Sequence, residues 1–125
     1  MNEAHTTSLA LSQRLKALGI PQVSEYCWAK FEGKITSLIP TSVAKSYENT
    51  VCEWWVSAFL ADELGEMLPR YLFVARLGTQ KEWVCDRWSN GEKPIAGREI
   101  ERQYADTMSE ALGLMLEYLK KEGLI

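Results

Sequence analysis

At 125 residues, 46% hydrophobic and 25% charged, the chain has the size and make-up of one α+β domain spanning 1–125 and not of a disordered segment. A net charge of −3 excludes the broad basic surplus that a sequence-independent grip on nucleic acid requires, leaving only a local basic patch open. No apolar run approaches the ~18 residues of a membrane span, so the expectation is a soluble protein with no membrane partner.

Residues 1–5 read as a flexible tail. "TTSLALSQRLKALGIP" then reads as a first helix, with Thr6 or Thr7 as cap and Leu11, Leu15 and Leu18 on one face. Gly19 suits the residue just past the helix, Ile20 its hydrophobic partner, and Pro21 the stop. "EYCWAKFEGKITSLI" is aromatic-rich with a turn at "EGK", which predicts a hairpin. "PTSVAKSYENT" has turn chemistry without periodicity and reads as a surface connection. "VCEWWVSAF" suits either a buried strand or the opening of the next helix.

From Leu60 the spacing of Leu60, Leu64, Met67 and Leu68 predicts a helix that Pro69 ends. "RYLFVARLGTQKEWVCDRWS" predicts a second hairpin turning near Gly78 and Thr79, and "NGEKPIAG" a loop. The last helix starts at a capping box, Thr107 with Glu110, with Asp106 adding negative charge at that end. Leu112, Met115, Leu116 and Leu119 point inward, and Gly123 closes it. The predicted order is helix–hairpin–helix–hairpin–helix, an antiparallel sheet with helices packed on it.

Few motifs carry chemistry. The single histidine, His5, lies in the expected tail, and Cys27, Cys52 and Cys85 are widely spaced without a CxxC pair. No structural zinc and no His-dependent triad is therefore expected. With no signal peptide at the start, the cysteines are read as reduced, buried thiols of a cytoplasmic protein. There is no G-x-S-x-G, P-loop or G-x-G-x-x-G pattern, and no cofactor is expected. Asp62, Glu63 and Glu66 crowd the second helix, but all lie off its leucine stripe and read as a solvated face. A general acid or base would need a pocket that moves its pKa toward neutrality.

"AFLADELGEMLP" and "YADTMSEALGLMLEYLKKEGLI" together resemble small uncharacterised proteins of phages, prophages and their bacterial hosts. The residues that carry the likeness are Ala58 and Phe59, Glu63 through Pro69, Ala105 through Thr107, and Leu124 with Ile125. Where the resemblance places Thr at the cap before the second helix, this chain has Leu60, so that helix is capped differently or starts earlier. The resemblance covers about the second half of the chain and its motifs are structural. It implies a genomic setting, a phage or prophage accessory protein in the host cytoplasm, and no activity.

The second hairpin is the most promising surface. Arg70, Arg76 and Arg87 lie on or beside strands that carry Trp83 and Trp88. Arginine forks grip phosphate and tryptophan offers a flat π-face, which suits a nucleotide or another phosphorylated ligand. The competing reading packs these aromatics under the helices and pairs the arginines with Glu82, Asp86 or the acidic helix. Trp54 and Trp55, adjacent in a strand, would face opposite ways, and an exposed one would anchor a protein interface. Five tryptophans and two hairpins also suggest self-association. The reading is thus a non-enzymatic binding protein, an anti-defence factor sequestering a nucleotide signal or occupying a host protein. The alternatives are a structural or assembly component of a phage particle and a small enzyme using the acidic helix face.

Overall fold

The computed structural model describes residues 3–70, 72–77, 82–87 and 100–125. The expected turn at Gly78 and Thr79, the loop "NGEKPIAG" and Trp88 lie outside these. Among the described residues the architecture is α+β: four α-helices and six strands in two separate three-stranded antiparallel sheets. The expectation of a single sheet needs correcting. Each hairpin takes its third strand from the segment that follows it in the chain, and among the described residues no strand of one sheet pairs with a strand of the other.

Helix α1 (Leu9–Ala17) is capped by Ser8, whose side chain accepts from the Leu11 N–H at 3.3 Å. Thr6 and Thr7 do not cap it, because they are engaged elsewhere. Thr6 bridges to Leu60, and the Thr7 hydroxyl accepts from the Phe59 N–H at 3.0 Å while sharing a 2.7 Å bond with Ser12. The far end follows the sequence signals. Gly19 adopts φ 84°, Gly19 N–H donates to Lys16 O at 3.0 Å and Ile20 N–H to Leu15 O at 3.1 Å, and Ile20 folds into the core. Ahead of α1, Glu3–His5 form a 3-10 turn, and Ser109 Oγ donates to His5 O at 2.7 Å.

The first sheet holds β1 (Tyr26–Phe31), β2 (Ser37–Pro40) and β3 (Cys52–Ala58) in the order β2-β1-β3. The ambiguous "VCEWWVSAF" is settled as strand by long-range pairing with β1. The connection before it contains a helix that sequence periodicity misses, α2 (Thr41–Ser46), too short at six residues to show a stripe. A bulge leaves Glu53 without a partner, since Lys30 pairs with Trp54 and Phe31 with Cys52. The extra residue brings Cys52 and Trp55 to the same side, where they join Cys27 and Ala29 beneath Ala44 of α2. On the opposite side Trp28, Val56 and Ala58 pack under Leu9, and the Trp28 indole N–H donates to Thr7 O at 3.0 Å.

Helix α3 (Ala61–Met67) leads to the second sheet: β4 (Leu72–Leu77), β5 (Glu82–Arg87) and β6 (Gln103–Ala105), in the order β4-β5-β6. Helix α4 (Met108–Lys121) follows. It packs on α1, α3 and this sheet, and its Ala111, Leu112, Met115, Leu116 and Leu119 meet Leu11, Leu15, Phe59, Leu64 and Cys85 in the main core. Burying each such large side chain is worth roughly 1.5–3 kcal/mol. At the rim Glu117, 7% exposed, accepts from Arg14 Nε at 2.7 Å, which ties α1 to α4.

Candidate functional site

The site begins with strand register. Arg76 of β4 lies directly opposite Trp83 of β5, on the side of the sheet that also carries Val74 and Cys85 toward the core. Cross-strand neighbours sit about 4.5–5.5 Å apart at Cβ, so a guanidinium and an indole share one patch. Trp83 is half-buried and Arg76 exposed. Three other segments converge there: His5 of the 3-10 turn, Asp62 in the first turn of α3, and Asp106 through Ser109 at the start of α4. Together they enclose a cleft of about 530 Å³. That volume falls in the range of roughly 300–1,000 Å³ usual for small-molecule sites.

Hydrogen bonds hold the walls. Thr107 Oγ1 accepts from the Glu110 N–H at 3.1 Å, the first half of the expected capping box. The second half is diverted. The Glu110 carboxylate accepts from Ser8, both its N–H and, at 3.1 Å, its hydroxyl, so it joins the start of α4 to the start of α1. With the bond from Ser109 to His5 O, the N-terminal segment is stitched to the rim of the cleft. Asp62, Asp106, His5 and Arg76 all reach solvent there. A ligand would meet a cation, two carboxylates, an aromatic face and the start of a 14-residue helix.

A second cavity of about 500 Å³ adjoins the first, sharing Ala61, Asp62 and Met108, and runs between α3 and β4. Its wall is largely apolar, through Leu68, Leu72, Phe73 and Leu112, with Arg70 at its rim.

The five residues expected to form one phosphate site therefore separate. Arg76 and Trp83 come together, and Arg70 belongs to the second cavity. Arg87 pairs with Leu72, four register positions along the sheet from Arg76 and Trp83, while Trp88 lies outside the described residues. The competing pairing of arginines with Asp86 is not what forms, because Asp86 takes Arg102 at 2.7 Å. Among the described residues Arg70, Arg76 and Arg87 make no ion pair.

The acidic trio also separates. Glu63 is a structural group: its two carboxylate oxygens accept from the N–H groups of Leu60 and Glu25, each at 2.8 Å. It therefore caps α3 in place of the missing Thr and fastens the chain entering β1. Glu66 stays on the wet face and Asp62 lines both cavities.

Trp54 and Trp55 face opposite ways. Trp54 is 37% exposed, whereas Trp55 packs on the Cys27 cluster, donates to Glu48 at 2.8 Å and lies 5.8 Å from Lys45 Nζ.

The cysteines are buried and unbridged. Burial pushes the Cys27 thiol up to about 11 and Cys85 up to about 12, and raises Cys52 as well, so none is a thiolate nucleophile near neutral pH. Among the described residues no three His, Cys, Asp or Glu side chains gather to hold a metal, and no helix is long and apolar enough to cross a membrane. No family model, curated protein or solved structure matches the chain. His5 and Asp106 enter the cleft without any sequence signal of their own, since residues so far apart are joined only by the fold.

Proposed function

We propose that this chain is a non-enzymatic binding protein whose cleft takes a small aromatic ligand bearing a phosphate, a nucleotide in the first instance. The observation that carries the reading is the cross-strand pair Arg76–Trp83 at the mouth of the cleft. A guanidinium fork binds phosphate oxygens in two places, and an indole stacks on a base. The start of α4 adds a favourable field for the anion, and Asp62 and Asp106 accept hydrogen bonds from base or ribose donors. Against an enzyme stand the buried, protonated thiols and the commitment of Glu63 to capping. The likeness to phage and prophage accessory proteins supplies the setting, in which the chain sequesters a nucleotide signal as an anti-defence factor.

A second reading has its own observation. Val23, Ile35, Val43, Tyr47, Val51 and Trp54 are 37–85% exposed, and they account for six of the eight large hydrophobics exposed among the described residues. All lie in or around the first sheet, which favours a protein partner there: a second copy, a host protein, or a neighbour in a particle. Native mass spectrometry of freshly purified protein, with a denatured control, separates the two. Extra mass lost on denaturation, of nucleotide size, supports the cleft reading. A bare higher-order oligomer supports the interface or assembly reading.

A further inference from the structure

We propose that the cavity between α3 and β4 binds a straight-chain aliphatic carboxylate, its head at Arg70 and its chain lying along α3. The site is independent of the nucleotide reading, which concerns the neighbouring cleft. The cavity, of about 500 Å³, follows the helix from end to end. Asp62 lines it from the first turn of α3, Gly65 from the next, Leu68 from the end of the helix and Arg70 from just beyond. Between Asp62 and Leu68 the helix rises roughly 9 Å. The space is therefore elongated, with an acid at one end and a cation at the other.

The sequence of α3 makes the room. Leu64 and Met67 turn to the main core. Ala61, Gly65 and Leu68, at i, i+4 and i+7, line the cavity instead. The first two have almost no side chain, so the helix leaves a gap beside Leu72 and Leu112.

Gly65 is the informative position. In a helix interior glycine is the poorest residue but proline. Its φ is not positive, and a Cβ there would meet nothing within 4 Å. Neither backbone angle nor crowding requires it, whereas a long side chain at this position would occupy the cavity.

Charge and lining set the ligand. Arg70 is exposed and, among the described residues, is the only cation that lines the cavity and makes no ion pair. One guanidinium offsets one negative charge, and Asp62 disfavours a second. A monoanionic carboxylate is matched, and a doubly charged phosphate is not. Leu68, Leu72 and Leu112 give the chain an apolar bed. Asp62 marks where that bed ends, so a longer chain must turn out into solvent.

The test is isothermal titration of the full chain with saturated carboxylates from butanoate to dodecanoate, below their micelle-forming concentrations, with octanol as the neutral counterpart of octanoate. Affinity should rise about fourfold per added CH₂ and then level off within the series, where the chain reaches Asp62. Octanoate should bind about tenfold more tightly than octanol, and Arg70→Gln should remove that difference. Gly65→Leu should bring the plateau to a shorter chain and weaken decanoate by roughly tenfold or more. The open space at Gly65 allows this variant to fold. No saturable binding by the folded parent chain, an affinity that climbs through the whole series, or decanoate binding that ignores Gly65→Leu would overturn the proposal. The nucleotide reading stands or falls separately, on titration of the Arg76–Trp83 cleft.

Discussion

Alanine at Gly113 and alanine at Gly65 are the same chemical change in two helices, and they should move stability in opposite directions. Each gains up to about 1 kcal/mol from better helix propensity. At Gly65 the new Cβ meets nothing within 4 Å, so the gain survives. At Gly113, where α4 crosses α1, the Cβ would lie 2.7 Å from Leu11 Cδ2 and 2.9 Å from Thr7 Cγ2. Neither neighbour yields easily. Leu11 is fully buried in the main core, and Thr7 is held by its hydroxyl bonds to Phe59 and Ser12. Overpacking of this kind costs about 2–3 kcal/mol, for a net loss near 1–2. An unfolding entropy of roughly 2.1 cal/mol/K per residue amounts to about 0.26 kcal/mol/K over the chain. Gly65→Ala should then raise Tm by about 4 °C and Gly113→Ala lower it by about 4–8 °C, by differential scanning calorimetry at pH 7. A Gly113→Ala variant as stable as the parent would refute the close α1–α4 crossing.

Other substitutions test the remaining parts. Glu63→Ala removes a helix cap and a tie to Glu25, both at 2.8 Å, and should cost about 2 kcal/mol in urea unfolding, whereas Glu66→Gln should change stability by less than about 0.5. Equal effects from the two would return Glu63 to the wet face. For Cys85 and Cys27 the folded pKa lies above the unfolded value of 9.0, so the unfolded chain loses its proton first. Their contribution is intact below pH 9 and falls as pH rises from there toward about 11–12, and Cys85→Ala should flatten the decline of Tm over that window. Iodoacetamide should label the native thiols slowly at pH 8 and rapidly in denaturant, and fast native labelling would contradict their burial.

Much of this fold is written in short-range signals. Gly19 with Ile20, the Thr107 cap, Pro69 and the leucine spacing of α4 each act within a turn or two, and helix ends are decided at that range. The aromatic alternation around Gly33 likewise marks the first hairpin. What the sequence conceals is long-range. Whether residues 51–59 are strand or helix depends on β1, some 25 residues earlier in the chain. Glu63 looks like one of three solvated acids, and only the arrival of Glu25 reveals its second hydrogen bond. A three-residue β6 and a six-residue α2 are too short to carry a period.

The candidate site divides in the same way. Arg76 and Trp83 are visible as residues suited to phosphate and base, and the antiparallel register of β4 with β5 is what makes them neighbours. Arg70 and Arg87 look equivalent in sequence, but register places them elsewhere. His5 and Asp106 join the cleft through the seam from Ser8 and His5 to α4, Asp62 reaches it from the first turn of α3, and no local pattern announces such a meeting.

The central claim is that the Arg76–Trp83 cleft holds a phosphorylated aromatic ligand. Isothermal titration of the purified chain with a panel of nucleotides, beside Arg76→Ala and Trp83→Leu, tests it most directly. Saturable binding of at least one nucleotide is expected, weakened about 10- to 100-fold by Arg76→Ala, as loss of a charge-assisted phosphate contact implies. Trp83→Leu should weaken it by about 10-fold through loss of stacking. Nucleotide binding that ignores both substitutions, or no binding by a folded wild-type chain, would contradict it.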